Sequence, residues 1–176
     1  LNGMKIVELN VKDALLFESP KYVDQRGYFF ESYNEKTFRL GCNFVQDNHS
    51  SSTRNVLRGL HYQIKNPQGK LVRCVRGSVL DTIVDLRQSS ETFGEWYSVK
   101  LDRPQVQLWV PPGFAHGFLT LSENAQICYK TTDYWYPQHE RTLLWNSLDI
   151  SWGISHPILS EKDKEGKSFD DCEKYL

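Results

Sequence analysis

The chain has no run of eighteen apolar residues and no apolar block near its N-terminus, so neither a membrane-spanning helix nor a secretory signal is expected. Charge of either sign is not in excess, with 21 Lys plus Arg against 22 Asp plus Glu. A nucleic-acid partner normally requires a basic surplus or a basic stripe, and the sequence offers neither. A small anion held by two or three local cations stays compatible. The four cysteines, Cys42, Cys74, Cys128 and Cys172, form no CxxC pair, which fits reduced thiols in a cytoplasmic protein, with Cys74 and Cys128 expected as interior strand residues. His49, His61, His116, His139 and His156 are isolated and make no HxH or HExxH, although distant histidines could still converge on a metal. Phosphate-cradling glycine loops, repeats and low-complexity segments are missing too.

What is present is aromatic. Phe, Trp and Tyr reach 13% of 176 residues while the apolar share is only 39%. That load suits a core, a subunit interface or a ligand cleft. The length suits one domain over residues 4–176, with residues 1–3 read as a leader or remnant and Met4 as the natural start.

Short extended segments separated by turns dominate the chain. Strands are expected at Lys5–Leu9, Ala14–Glu18, Tyr28–Tyr33, Lys70–Arg76, Ser78–Leu86, Trp96–Leu101, Gln107–Val110, His116–Thr120, Ala125–Thr131 and Thr142–Trp145. Asn34 can cap a helix over Glu35–Leu40, closed by Gly41. Ser160 and Asp163 stand at the cap-box separation for a second short helix stopped by Gly166. Ser50–Asn55 reads as a loop, and Gly77 as the centre of a hairpin or of one bent strand. Four consecutive polar residues, Gln46–His49, are costly in a strand unless one face lines a polar cleft or the edge is wet. Asp81 and Asp85 are expected to pair with Arg73 or Arg76. This pattern predicts an all-β fold, an antiparallel barrel or double-sheet roll with a few short peripheral helices and a concave interior.

The most polar strand signal is Val56-Leu-Arg-Gly-Leu-His-Tyr-Gln63, followed by Lys70 in Pro67-Gln-Gly-Lys-Leu-Val-Arg73. Gly59 permits a bulge or a close backbone approach. Histidine titrates near working pH, so His61 suits a general base; the plainer alternative is a satisfied core or loop histidine. Lys70 could equally face solvent at a hairpin mouth, Tyr129 could be a core tyrosine, and Asp163 could do no more than cap a helix.

Six segments in order resemble the dTDP-4-dehydrorhamnose 3,5-epimerase family: Asp24-Gln-Arg-Gly-Tyr-Phe-Phe-Glu31, Phe44-Val-Gln-Asp-Asn-His49, Val56-Leu-Arg-Gly-Leu-His61, Gln68-Gly-Lys-Leu-Val72, Pro111-Pro-Gly-Phe-Ala-His-Gly-Phe118 and Tyr129-Lys-Thr-Thr-Asp-Tyr134. The resemblance implies a cupin-like β-roll without metal or cofactor, forming a homodimer by strand exchange. It implies a thymidine-diphosphate 4-keto-6-deoxyhexose as substrate, epimerised on both sides of the ketone. His61 would be the base and Asp163 its partner, Tyr129 the acid on the opposite face, and Lys70 the cation at the 4-keto oxygen. Arg26 and Arg58 would contact diphosphate and sugar; Phe29, Glu31, Gln46, Asn48, His116 and Tyr134 would complete the substrate pocket. Where relatives often carry a second tyrosine, this chain has Trp135. Two alternatives stay open: inversion at C3 only, or a β-roll that binds a nucleotide sugar without chemistry.

Overall fold

The computed structural model describes residues 3–176, so all but Gly3 of the expected leader lies outside the described residues. β1 (Lys5–Glu8) and β2 (Leu15–Glu18) form a hairpin with Lys5 opposite Glu18. β3 (Tyr22–Asp24) and β4 (Gly27–Phe29) form a second, separate hairpin that leaves Tyr22, Val23, Tyr28 and Phe29 exposed. The strand expected to reach Tyr33 stops at Phe29, because a two-stranded ribbon offers no third neighbour to carry it on. α1 (Glu35–Phe38) starts as expected, the Asn34 side chain accepting the Lys36 N–H at 3.0 Å. It closes earlier than expected, on Arg39 at φ 52°, with Phe38 packed against Phe17 and Tyr33.

β5 (Gln46–Thr53) corrects the loop expected after Ser50: its whole length pairs with the later strand Asn124–Thr131. Both escapes for its polar run are used. It is an edge strand with Asp47, His49, Ser51 and Thr53 in solvent, while Gln46, Asn48, Ser50 and Ser52 turn inward.

β6 (Leu57–Gln63), β7 (Lys70–Arg76) and β8 (Val79–Asp85) follow. β7 and β8 are not hairpin partners, since at Gly77, φ +78°, the chain turns out of one sheet and into another. A Cβ there would lie 2.2 Å from the Asn124 carbonyl oxygen, so only glycine fits the corner. β9 (Trp96–Leu101), β10 (Val106–Val110), β11 (Phe114–Thr120) and β12 (Asn124–Thr131) match expectation to within two residues. The last strand, β13 (Glu140–Thr142), comes earlier than Thr142–Trp145, because its register is set by pairing with His61, Tyr62 and Gln63. α2 (Glu161–Lys164) is capped by Ser160 Oγ, which accepts the Asp163 N–H at 3.2 Å.

Two antiparallel sheets result, β1-β2-β10-β7-β12-β5 and β13-β6-β11-β8-β9, facing each other as a roll. Val72, Cys74, Ile83, Leu108, Phe114, Phe118 and Ile127 fill the space between them. Alternation along β8 sends Ile83 inward and Val84 outward, and the outer face is sealed by Trp152, Cys172 and Tyr175 of the C-terminal segment. That segment, polar in sequence, is thus a packing element. The outer face of the six-stranded sheet is covered around Phe17, Leu71 and Trp109 by Phe38, Tyr33 and Phe44.

Two expectations about buried polar groups are corrected. Asp81 and Asp85 take neither Arg73 nor Arg76. Asp85 instead accepts from Arg87 Nε at 3.0 Å, Ser90 Oγ at 2.6 Å and Thr92 Oγ1 at 2.7 Å, since Arg87 lies just beyond the end of its own strand. Cys74 is interior as expected, but Cys128 lies on the opposite face of its strand from buried Ile127 and sits 3.4 Å from His49 Nδ1. No helix among the described residues is long and apolar enough to cross a membrane.

Candidate active site

At Gly59 the backbone of β6 takes φ +122° and lies so close to β11 that an added Cβ would sit 2.7 Å from Gly117 Cα and from the His116 carbonyl oxygen. The register slips there by one residue, a bulge that sets His61 opposite His116 and Arg58 opposite Phe118. His61 therefore points into the roll, while Arg58 reaches its rim, where Nε donates to Ser52 Oγ at 2.9 Å.

Asp163 arrives from α2. Its Oδ1 lies 2.6 Å from His61 Nε2, and its Oδ2 accepts the Gly59 N–H at 3.1 Å. Burial pushes this carboxyl up, but the His61 bond, the Gly59 N–H and the nearby Lys162 together hold it below the usual carboxylate range. An ionised carboxylate only accepts, so Nε2 is the ring nitrogen that donates to it and Nδ1 is the one turned away. The carboxylate is spent on the imidazole, and capping is left to Ser160.

Lys70 is buried, not solvent-facing, with its Nζ 5.8 Å from the Tyr129 ring centroid. Burial lowers its pKa to about 8, opposed by the negative charges of Glu140 and Asp81. Tyr129 lies across from His61, on the facing sheet, and its ring meets that of His116 edge-on at 6.3 Å. Burial pushes its phenol up. His116 Nε2 lies 2.9 and 3.0 Å from the two Asp81 oxygens, both side chains fully enclosed.

His61, Lys70 and Tyr129 form the shared wall of two compartments of about 250 and 660 Å³. Gln46 and Asn48 line the smaller, Arg58, His116 and Asp163 the larger. Tyr134 does not line either; it stays half exposed at the rim, its carbonyl accepting from Gln63 Nε2 at 3.1 Å. Arg26, Phe29 and Glu31 are not brought to this cavity within one chain. Arg26 is paired with Asp24 at 2.6 Å in the β3–β4 turn, Phe29 is exposed, and Glu31 accepts from Asn34 at 2.8 Å. Gln63, which closes the polar strand stretch, lines the smaller compartment, and the unforeseen members are Gln68, Glu140 and Lys162. Gln63 was legible, being two residues beyond His61 on the same strand face; Glu140 and Lys162 carried no local signal. Among the described residues no three His, Cys, Asp or Glu side chains converge in a way that could hold a metal ion.

A cupin-like β-roll with an imidazole on one sheet held by a carboxylate from α2, a phenol on the other sheet and a buried ammonium beside it has the parts of an isomerase working by proton transfer. A sequence model of the family described as dTDP-4-dehydrorhamnose 3,5-epimerase matches residues 8–171. The chain is 52% identical over 178 residues to the dTDP-4-dehydrorhamnose 3,5-epimerase of Pseudomonas aeruginosa, covering 97% of this chain and 98% of that one. It superposes with a TM-score of 0.90 on the crystal structure of the enzyme of that name from Elizabethkingia anophelis, at 46% identity, covering 96% and 97% of the two chains. The dTDP-6-deoxy-D-glucose-3,5-epimerase of Legionella pneumophila, in complex with dTDP-4-keto-L-rhamnose, matches with a TM-score of 0.91 and 40% identity over 97% of this chain and 95% of that one. The chain belongs to the dTDP-4-dehydrorhamnose 3,5-epimerase family.

Proposed function

We propose that this protein epimerises C3 and C5 of dTDP-4-dehydro-6-deoxy-D-glucose, giving dTDP-4-dehydro-L-rhamnose. The observation that carries the reading is that His61 and Tyr129 lie on facing sheets and share with Lys70 the wall common to both compartments. A C–H next to a ketone is weakly acidic, and losing its proton moves charge onto the carbonyl oxygen. His61 Nδ1 takes the proton, and Asp163 stabilises the imidazolium that forms. Lys70 supplies positive charge where the enolate oxygen develops, a contribution of about 3 kcal/mol for one well-placed donor. Tyr129 returns a proton from the other side, which inverts the centre. The same base and acid serve both carbons once the sugar has turned.

Arg58, Gln46 and Asn48 are assigned to substrate contacts, and His116, held by Asp81, to the pocket floor. Arg26, Phe29 and Glu31 join them in this proposal from a second copy of the chain, as strand exchange in a homodimer would allow; the exposed aromatic hairpin supports this. Light scattering checks the dimer. The setting proposed is the cytoplasm, which suits four unpaired thiols.

Turnover in deuterium oxide tests the reaction. Label at both C3 and C5 is the expected result; label at C3 alone selects a 3-epimerase, and none at either carbon selects a binding protein.

A further inference from the structure

We propose that Glu140 is a positioning residue that links the docking of the helix carrying Asp163 to the charge of the buried Lys70. This rests on the role given to Lys70 above. Glu140 opens β13, opposite Gln63 of β6, with only 17% of its side chain exposed. It takes the Nζ of Lys162 at 3.0 Å, and the very next residue, Asp163, holds His61. Four residues of helix have no stability of their own, so α2 stays in place through such side-chain anchors. Glu140 lines the same compartment as Lys70, and its charge is the leading favourable influence on that ammonium, ahead of Asp81.

The other charged neighbours of Lys70 are accounted for. Asp81 of β8 is tied to His116 of β11, and Asp163 to His61 of β6. Arg58 of β6 is turned to Ser52, and the Tyr129 phenol of β12 is kept neutral by burial. Among the described residues, Glu140 is the one carboxylate lining the compartment of Lys70 whose partner comes from α2. When Lys162 is seated, it offsets the field of Glu140, and the Lys70 charge is left for the ketone oxygen. When it is not, Glu140 holds that charge itself. Seating of α2 thus completes the base and frees the cation together.

The test is a pair of variants in the full chain, Glu140→Gln and Lys162→Met, with the titration of Lys70 followed by its ¹³Cε NMR shift without substrate. Loss of the anion should move the titration to lower pH and loss of the opposing cation to higher pH, each on the order of one pH unit. The alkaline limb of kcat/KM should move with the same signs. A salt bridge of purely structural value would leave Lys70 unmoved in both variants, or shift it alike, and either result overturns the proposal. If the NMR titrations diverge but the alkaline limb ignores them, the Glu140 link stands and the role of Lys70 in turnover fails. Should Glu140→Gln not fold, Lys162→Met decides alone: a titration that rises supports the link, and one that stays or falls refutes it.

Discussion

The Nε2 of His61 and the Oδ1 of Asp163 lie 2.6 Å apart although 102 positions separate them in sequence. The contact fixes which ring nitrogen is basic. Asp163→Asn can present an N–H to the ring in place of an acceptor and so favour the wrong tautomer. A fall in kcat of at least ~10²-fold with a near-native circular dichroism spectrum is expected. A raised KM at unchanged kcat would contradict the pairing. The sign of its pH effect follows from its depressed pKa: the stability Asp163 contributes is present above the ordinary carboxylate value of 3.8 and is lost as pH falls through the lower folded value.

His61→Ala removes the imidazole proposed as the base. Solvent exchange should vanish at C3 and C5 together, with turnover reduced by roughly 10²–10⁴-fold. Calorimetric titration with dTDP should still show binding, because the residues assigned to the nucleotide are elsewhere. Exchange surviving at one carbon would require a second base.

Tyr129→Phe keeps the ring that packs against the core and deletes only the hydroxyl. Proton loss, read as deuterium wash-in on the starting sugar, should persist while inverted product falls. Equal losses of both would mean a role in binding or folding instead.

Lys70→Met exchanges a buried ammonium for an apolar chain of similar length. A pKa depressed from 10.5 to about 8 corresponds to roughly 3 kcal/mol that folding gives up at neutral pH to keep this lysine charged. The cost is complete below the folded value and fades as pH climbs from about 8 toward the unfolded value of 10.5. The variant should therefore be inactive yet more stable to urea at pH 7, by ~1–3 kcal/mol, with the gain shrinking above pH 9. A less stable variant would show that the ammonium is well paired.

Asp85→Ala probes the scaffold away from the cavity. It strips Arg87, Ser90 and Thr92 of one shared acceptor, and should cost about 3–5 kcal/mol in denaturant unfolding. Burial raises the Asp85 carboxyl, but the bonds from these three residues bring it below its ordinary value, so its support is also lost on acidification below pH 3.8. A change under 1 kcal/mol would mean that Arg87 finds Asp13 sufficient.

Much of this could be read from the residues. Period-two alternation and turn chemistry located most strands, and the polar run Gln46–His49 was compatible with a strand only given a wet edge or a polar inner face, both of which β5 has. His61, Lys70 and Tyr129 were legible as chemistry-bearing types in strand contexts. Partner choice was not. Asp81 finds His116 and Glu140 finds Lys162 because separate strands and a distant helix meet in space, and no local spacing records that. Ser50–Thr53 was missed as strand because small hydroxyl residues mimic a loop until an antiparallel neighbour satisfies their backbone. The hairpin with Arg26 and Phe29 shows the opposite limit, since its residues fit the family pattern while lying outside the cavity of their own chain.

β6 and β11 touch main chain to main chain at Gly59 and Gly117, where a Cβ on Gly117 would fall 2.5 Å from the Arg58 carbonyl oxygen. The imidazole one turn of the pleat away hangs from that contact. A single methyl at either position would force the two strands apart and displace His61, the proposed base, without changing any other side chain of the cavity. Change is thus easier to accommodate at the margin of the cavity, at positions such as Trp135, than at the two residues without side chains that hold β6 against β11.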